Sequence, residues 1–151
     1  RRQRQMCIRD SLDTTTTLDG TEIKAFDTTI DQANPAMVMM ALATYQAIDP
    51  NNPAVFSSII IDGHLRGDLG YDGVVISDSM SAAAVSAYDT TQLGVKLVEA
   101  GGDLVCIGDT NYVVPILDGL STRTASDPAF ANKVTQSAIR VMTLKIKMGL
   151  A

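Results

Sequence analysis

Three apolar runs limit what this chain can fold into more than any other feature: AMVMMALA at residues 36–43, GVVIS at 73–77 and DLVCIG at 103–108. Each is continuous rather than alternating and is bounded by Gly, Pro or Asp, the pattern of strands covered on both faces in a parallel sheet. The segments between them are long enough for crossovers. Residues 57–69 follow the loop DPNNPAVF, and in residues 90–100 Leu93, Leu97 and Val98 recur at helical spacing before Gly101 and Gly102 stop the helix. The order is βαβαβ, with right-handed crossovers expected.

The flanks read as helices. Residues 21–30 carry Ile23, Ala25, Phe26 and Ile30 near one face, and Asn34 and Pro35 turn the chain into the first strand. After the third strand, residues 112–120 read as a short helix and 129–150 as a long one ended by Gly149. On the long helix Val134, Ala138, Val141 and Met142 form the expected inner face, with Lys133, Arg140 and Lys147 turned to solvent. The polar run at residues 14–17 reads as an extended loop.

Length then becomes a constraint. Strands this uniformly apolar each need a neighbour on both edges, and 151 residues hold only three. A (β/α)8 barrel takes about 250 residues, and its last three βα units fill about this length. The expected fold class is α/β: the C-terminal portion of a (β/α)8 TIM barrel, strands 6 to 8, with the N-terminal part missing.

Composition supports a globular domain, at 46% hydrophobic and 19% charged residues, and excludes a disordered tail or a disulfide-stapled mini-protein. No apolar run approaches the roughly 18 residues of a membrane-spanning helix. Residues 1–11, RRQRQMCIRDS, look foreign: they hold four of the 12 basic residues and lack an apolar period. Residues 6–11 read as a translation of ATG TGT ATA AGA GAC AG plus one base, similar to a transposon end used in sequencing libraries. The expected division is therefore 1–11 as a sequencing or cloning artefact and 12–151 as a partial TIM-barrel catalytic domain. Without residues 1–11 the formal charge falls from −5 to −8, which argues against nucleic acid or an anionic membrane as partner. Cys7 goes with that segment, and Cys106 inside an apolar run reads as a packed thiol. One histidine and one cysteine cannot build a zinc cluster, so no metal is expected, and no cofactor.

Reacting groups of parallel α/β folds sit at the carboxyl ends of strands. The second run ends in Ser77, Asp78, Ser79 and Met80, which makes Asp78 a candidate anionic nucleophile or base. An N-cap for the following SAAAV segment is the equal alternative. Asp109, after the third run, reads first as a cap or turn. Tyr45, just past the first run, reads as a ring anchored under the rim, with contact to a ligand as the weaker alternative.

Met37, Ala41, Thr44, Tyr45, Ala47, Asp49, Pro53, Ala54, Ser57 and Ile60, followed by LRGDLGYDGVVISDSM at 65–80, resemble glycoside hydrolase family 3, especially its β-N-acetylhexosaminidase branch. The likeness runs on through AGGDLVCIG at 100–108 to Ile139, Arg140, Leu144, Lys145, Met148, Gly149 and Leu150, and spans about residues 19–150. The resemblance implies a carbohydrate substrate and retaining, exo-acting hydrolysis of terminal β-linked N-acetylglucosamine. Asp78 would be the nucleophile at the end of the seventh strand, with Ser79, Met80 and, more weakly, Tyr45 touching substrate. Related β-glucosidase or β-xylosidase activities are the alternative within the family. The second catalytic group of the hexosaminidase branch is a His-Asp pair near a Lys-His-Phe-Pro-Gly stretch that this sequence does not contain, so these residues alone are expected to be inactive. Where the family has Ala-His-x-x-Tyr after the sixth strand, this chain has Leu42 in place of the histidine. His64 falls on the outer helix and is expected to serve packing. The branch implies a cytoplasmic setting, with secreted relatives known. A phospho-accepting receiver domain is the rival from another class, but it needs paired acids after its first strand and five strands in about 120 residues.

Overall fold

A computed structural model describes residues 12–151; the segment expected to be foreign, with Cys7, lies outside the described residues. The chain runs β1 (Leu12–Asp13), α1 (Thr21–Ala33), β2 (Met37–Met40), β3 (Thr44–Tyr45), α2 (Ile59–Asp68), β4 (Val74–Ser79), α3 (Thr90–Glu99), β5 (Leu104–Cys106), α4 (Val113–Ser126) and α5 (Pro128–Lys147), with single 3₁₀ turns at Ala54–Phe56, Ala83–Val85 and Thr110–Tyr112. Helix α2 is wound as a π-helix. No helix among the described residues is long and apolar enough to cross a membrane.

The three expected strands form one parallel sheet in the order β2-β4-β5. β4 lies in the middle, and Val74 and Val75 are buried on its opposite faces. The outer strands depart from the expected two-sided burial. Along β2, Met39 is 65% exposed while Met40 is buried, so side chains alternate between a covered and an open face. The helices account for this. Ile61 and Leu65 of α2 and Leu93 and Leu97 of α3 pack with Val75, Val38 and Val105 on one face, whereas Met37, Met39, Ile76, Leu104 and Cys106 share the other. Val74 is covered at the amino end of that face, but Cys106, at its carboxyl end, is exposed rather than packed.

Local chemistry sets the helix boundaries. Asn34 ends α1 in the left-handed region, φ 42°, and its N–H donates to the Ile30 carbonyl. Asp127 caps α5 by accepting from the N–H groups of Ala129 and Phe130, with Pro128 in the first turn. α4 runs to Ser126, well past the expected end at residue 120, and lies close on α3. Gly119 permits that approach, since a Cβ there would collide with the Thr91 carbonyl.

The inner face of α5 also differs from expectation. Phe130 and Ser137 are its buried residues, flanked by the half-buried Val134, Val141 and Leu144, while Ala138 and Met142 face solvent. Arg140 turns inward because a carboxylate waits for it. The Asp103 side chain, with 0% exposure, receives Arg66 Nη2 on Oδ2 at 2.7 Å, and Arg140 Nη2 and Nε on Oδ1 at 2.8 and 2.9 Å. Val75 N–H donates to the same Oδ2 at 2.8 Å, and Ser137 Oγ donates to the Asp103 carbonyl. Arg66 also donates to the carbonyls of Gly101, Tyr71 and Gly73. Burial pushes its guanidinium pKa down, against the opposing pull of Asp103. One carboxylate thus joins α2, β4, β5 and α5 at the amino end of the sheet.

Removing one member of such a buried cluster leaves charges unpaired, at a cost of about 3–5 kcal/mol. Asp103→Ala is expected to lower the unfolding free energy by about that much in urea titrations. A loss under about 1 kcal/mol would show that the arginines repair themselves with water.

Candidate active site

At the opposite, carboxyl end of the sheet β4 departs from a regular ladder. Ile76 is level with Leu104 and Ser79 with Cys106, so β4 spends three steps where β5 spends two. This is a bulge, a feature that bends a strand and re-aims a side chain. Asp78 sits in it, exposed at the rim of the open face. Its Oδ1 accepts one short contact, 2.6 Å, from the N–H of the adjacent Ser79.

The cap reading of Asp78 is not met: the following 3₁₀ turn, Ala83–Val85, has Ala82 at its N-cap with no side-chain cap, and its first turn has no acidic residue. Neighbouring carboxylates are engaged differently. Asp109 caps the turn at Thr110–Tyr112 through the Asn111 N–H. Asp89 caps α3 through Thr91, and the Thr91 hydrogen bonds hold its carboxyl below the usual range. Asp13 accepts from the N–H groups of Thr15 and Thr16 and from the Thr16 hydroxyl, which lowers its pKa. Asp49, although burial works against its charge, is held low by hydrogen bonds from Ser57 and Asn52 and from the N–H groups of Asn51 and Asn52. Each of these four is committed to shaping a loop or helix end. Asp78 is not.

The other sequence candidates are dispersed. Ser79 is half-buried beside Asp78, its Oγ 2.9 Å from Ser81 Oγ. Met80 donates its N–H to the Cys106 carbonyl, but its side chain is 1% exposed and packs in the core. Tyr45 also packs against the core and lines an apolar cleft with Ile23, Phe26 and Ile30 of α1 and Met40 of β2; Asp78 is not part of that cleft. Burial, with the charge of Asp13, raises the Tyr45 pKa. Leu42 is buried in the core and offers no polar contact.

Two residues at this edge escaped the sequence reading. Ser77, fully buried, accepts the Cys106 N–H on Oγ at 2.9 Å, and Ser81 Oγ accepts the Gly108 N–H at 3.1 Å. Serine at every second position from 77 to 81 was the available signal.

The described residues thus place an exposed carboxylate at the carboxyl edge of the central strand of a parallel α/β sheet. Residues 10–144 match the profile of the glycosyl hydrolase family 3 N-terminal domain, and the chain belongs to that family. It is 39% identical over 99 residues to a β-hexosaminidase of Alkalilimnicola ehrlichii, covering 65% of this chain and 28% of that protein. Its fold superposes on the β-N-acetylhexosaminidase of Beutenbergia cavernae with TM-score 0.84 and 38% identity, covering 89% of this chain and 40% of the other. A family 3 β-N-acetylglucosaminidase from a Paenibacillus species gives 0.81 and 32%, covering 92% and 27%. The chain thus spans less than half the length of these relatives.

His64 is remote from this edge. Its Nε2 lies 3.0 Å from Asp27 on α1 and its Nδ1 3.2 Å from Asp68 on α2, so it fastens one helix to the other. Burial disfavours the imidazolium, but the hydrogen bonds to Asp27 and Asp68 prevail, and the pKa is raised above 6.5. A raised folded-state value means that the clamp stabilises fully below about 6.5 and fades as pH climbs through the folded pKa. His64→Ala is therefore expected to lower Tm more at pH 6 than at pH 8.5. An equal loss at both pH values would show that the ring acts by packing alone.

Proposed function

We propose that these residues form strands 6 to 8 of the (β/α)8 barrel of a retaining, exo-acting β-N-acetylhexosaminidase, with Asp78 as nucleophile. The observation that carries the reading is the carboxylate of Asp78, lifted on a bulge to the open rim of the central strand without a capping or ion-pair role among the described residues. The architecture supports it. Among the described residues the sheet has further-pairable edges on β2 and β5 and an apolar face bearing Met37, Met39, Ile76 and Leu104. Additional parallel strands would cover both and close a barrel whose interior is that face. The names of the relatives supply the substrate class.

In this reading a carboxylate oxygen of Asp78 attacks the anomeric carbon as the bond to the aglycone oxygen breaks. That oxygen takes a proton from an acid outside residues 12–151. Water then attacks the glycosyl ester, returns a proton to that group and releases Asp78, and two inversions leave the anomeric configuration unchanged. Ser79 meets the sugar from beside Asp78. Met80 acts from below by packing under the turn, and Tyr45 props the loop after β2. Neither step calls for a cofactor.

In the full-length protein, Asp78→Asn is expected to lower kcat for an aryl N-acetyl-β-glucosaminide by on the order of 10⁴-fold, with Asp109→Asn within a few-fold of wild type. Proton NMR of the first product should show the β-anomer. A dominant loss at Asp109, or the α-anomer, would overturn the assignment. Residues 12–151 alone are expected to give no turnover.

A further inference from the structure

We infer that Ser77 is a positioning residue for Asp78: its buried hydroxyl closes the bulge that sets the carboxylate at the rim. The inference rests on the reading of Asp78 given above. It begins from a mismatch in the ladder, where β4 spends three steps against two of β5. Inside that irregularity Ser77 Oγ receives the Cys106 N–H of β5 at 2.9 Å. Ser77 is fully buried, so no water can take over from the hydroxyl without rearrangement.

The turn beyond Asp78 is tied to the same strand. Met80 N–H donates to the Cys106 carbonyl at 2.9 Å, and Ser81 Oγ accepts the Gly108 N–H at 3.1 Å. Asp78 therefore stands between two attachments, one before it through Ser77 and one after it through Met80 and Ser81. Its own side chain has no part in either, which leaves it available for chemistry while its backbone is fixed on both sides. Removing the Ser77 hydroxyl takes from the Cys106 N–H the buried side-chain acceptor that holds β5 against the irregular stretch of β4. A shift of β4 toward β5 to make up that loss moves Asp78.

Displacing a reacting group by about 1 Å costs about 100-fold in rate. The test is made in the full-length protein with a dinitrophenyl N-acetyl-β-glucosaminide, whose leaving group departs without protonation, so that kcat/KM reports attack by the nucleophile. Ser77→Ala is expected to lower kcat/KM by about 100-fold, and Ser77→Thr, which keeps the hydroxyl, to restore it to within a few-fold. Amide hydrogen exchange supplies a readout independent of activity: the Cys106 N–H should be protected in wild type and Ser77→Thr and exchange freely in Ser77→Ala. Wild-type kcat/KM in Ser77→Ala, a threonine variant as slow as the alanine variant, or a Cys106 amide still protected in Ser77→Ala would overturn the inference. If Asp78→Asn itself turns over this substrate normally, the nucleophile reading fails and takes this inference with it. An inactive Asp78→Asn beside a fully active Ser77→Ala removes the positioning role alone.

Discussion

The carboxylate of Asp103 is the constraint on which the rest of the structure depends. It is fully buried, and a buried charge is tolerated only when its partners offset the lost hydration. Here the partners come from three places: Arg66 in α2, Arg140 in α5 and the Val75 N–H in β4. Satisfying one side chain therefore fixes where two helices meet two strands. The geometry of the guanidinium groups adds direction, since Arg140 presents two donors to a single oxygen and Arg66 spends its remaining donors on the carbonyls of Gly101, Tyr71 and Gly73. All of this lies at the amino end of the sheet. The carboxyl end is thereby free to carry a bulge and an exposed acid, the division of labour between stability and chemistry that parallel α/β folds permit.

Much of the fold was legible because the strongest signals are local. The three apolar runs became the three strands of the sheet, and Leu93, Leu97 and Val98 lie in the helix between the second and third. What misled was the inference from apolar runs to two-sided burial. An apolar run does not say which of its positions is covered: Val74 is buried, whereas Met39 and Cys106 on the same side of the sheet are exposed. Arg140 was read as a solvent residue because charge on a helix is usually exposed, and its partner lies 37 positions away in sequence. A pairing at that distance leaves no trace in periodicity.

The site divides in the same way. Asp78 stood out as a candidate from its place at the end of an apolar run, and hydrogen bonds distinguish it from Asp109, the other strand-end candidate: Asp109 is a cap and Asp78 is not. Met80 follows Asp78 closely in sequence but packs in the core, because the turn that presents one side chain sends another inward. Ser77 was invisible as a participant, since a bulge is a relation between two strands and neither strand encodes it alone.

Family membership and geometry meet in one claim, that the Asp78 carboxylate becomes covalently bonded to the sugar. The most direct measurement is to inactivate the full-length protein with a fluorinated N-acetylglucosaminyl fluoride, which forms the glycosyl ester faster than water releases it, and to map the attached mass by peptide sequencing in a mass spectrometer. The account predicts a single glycosyl group on Asp78, in the peptide containing GVVISDSM. Attachment to Asp109, or inactivation with no covalent sugar at all, would contradict it.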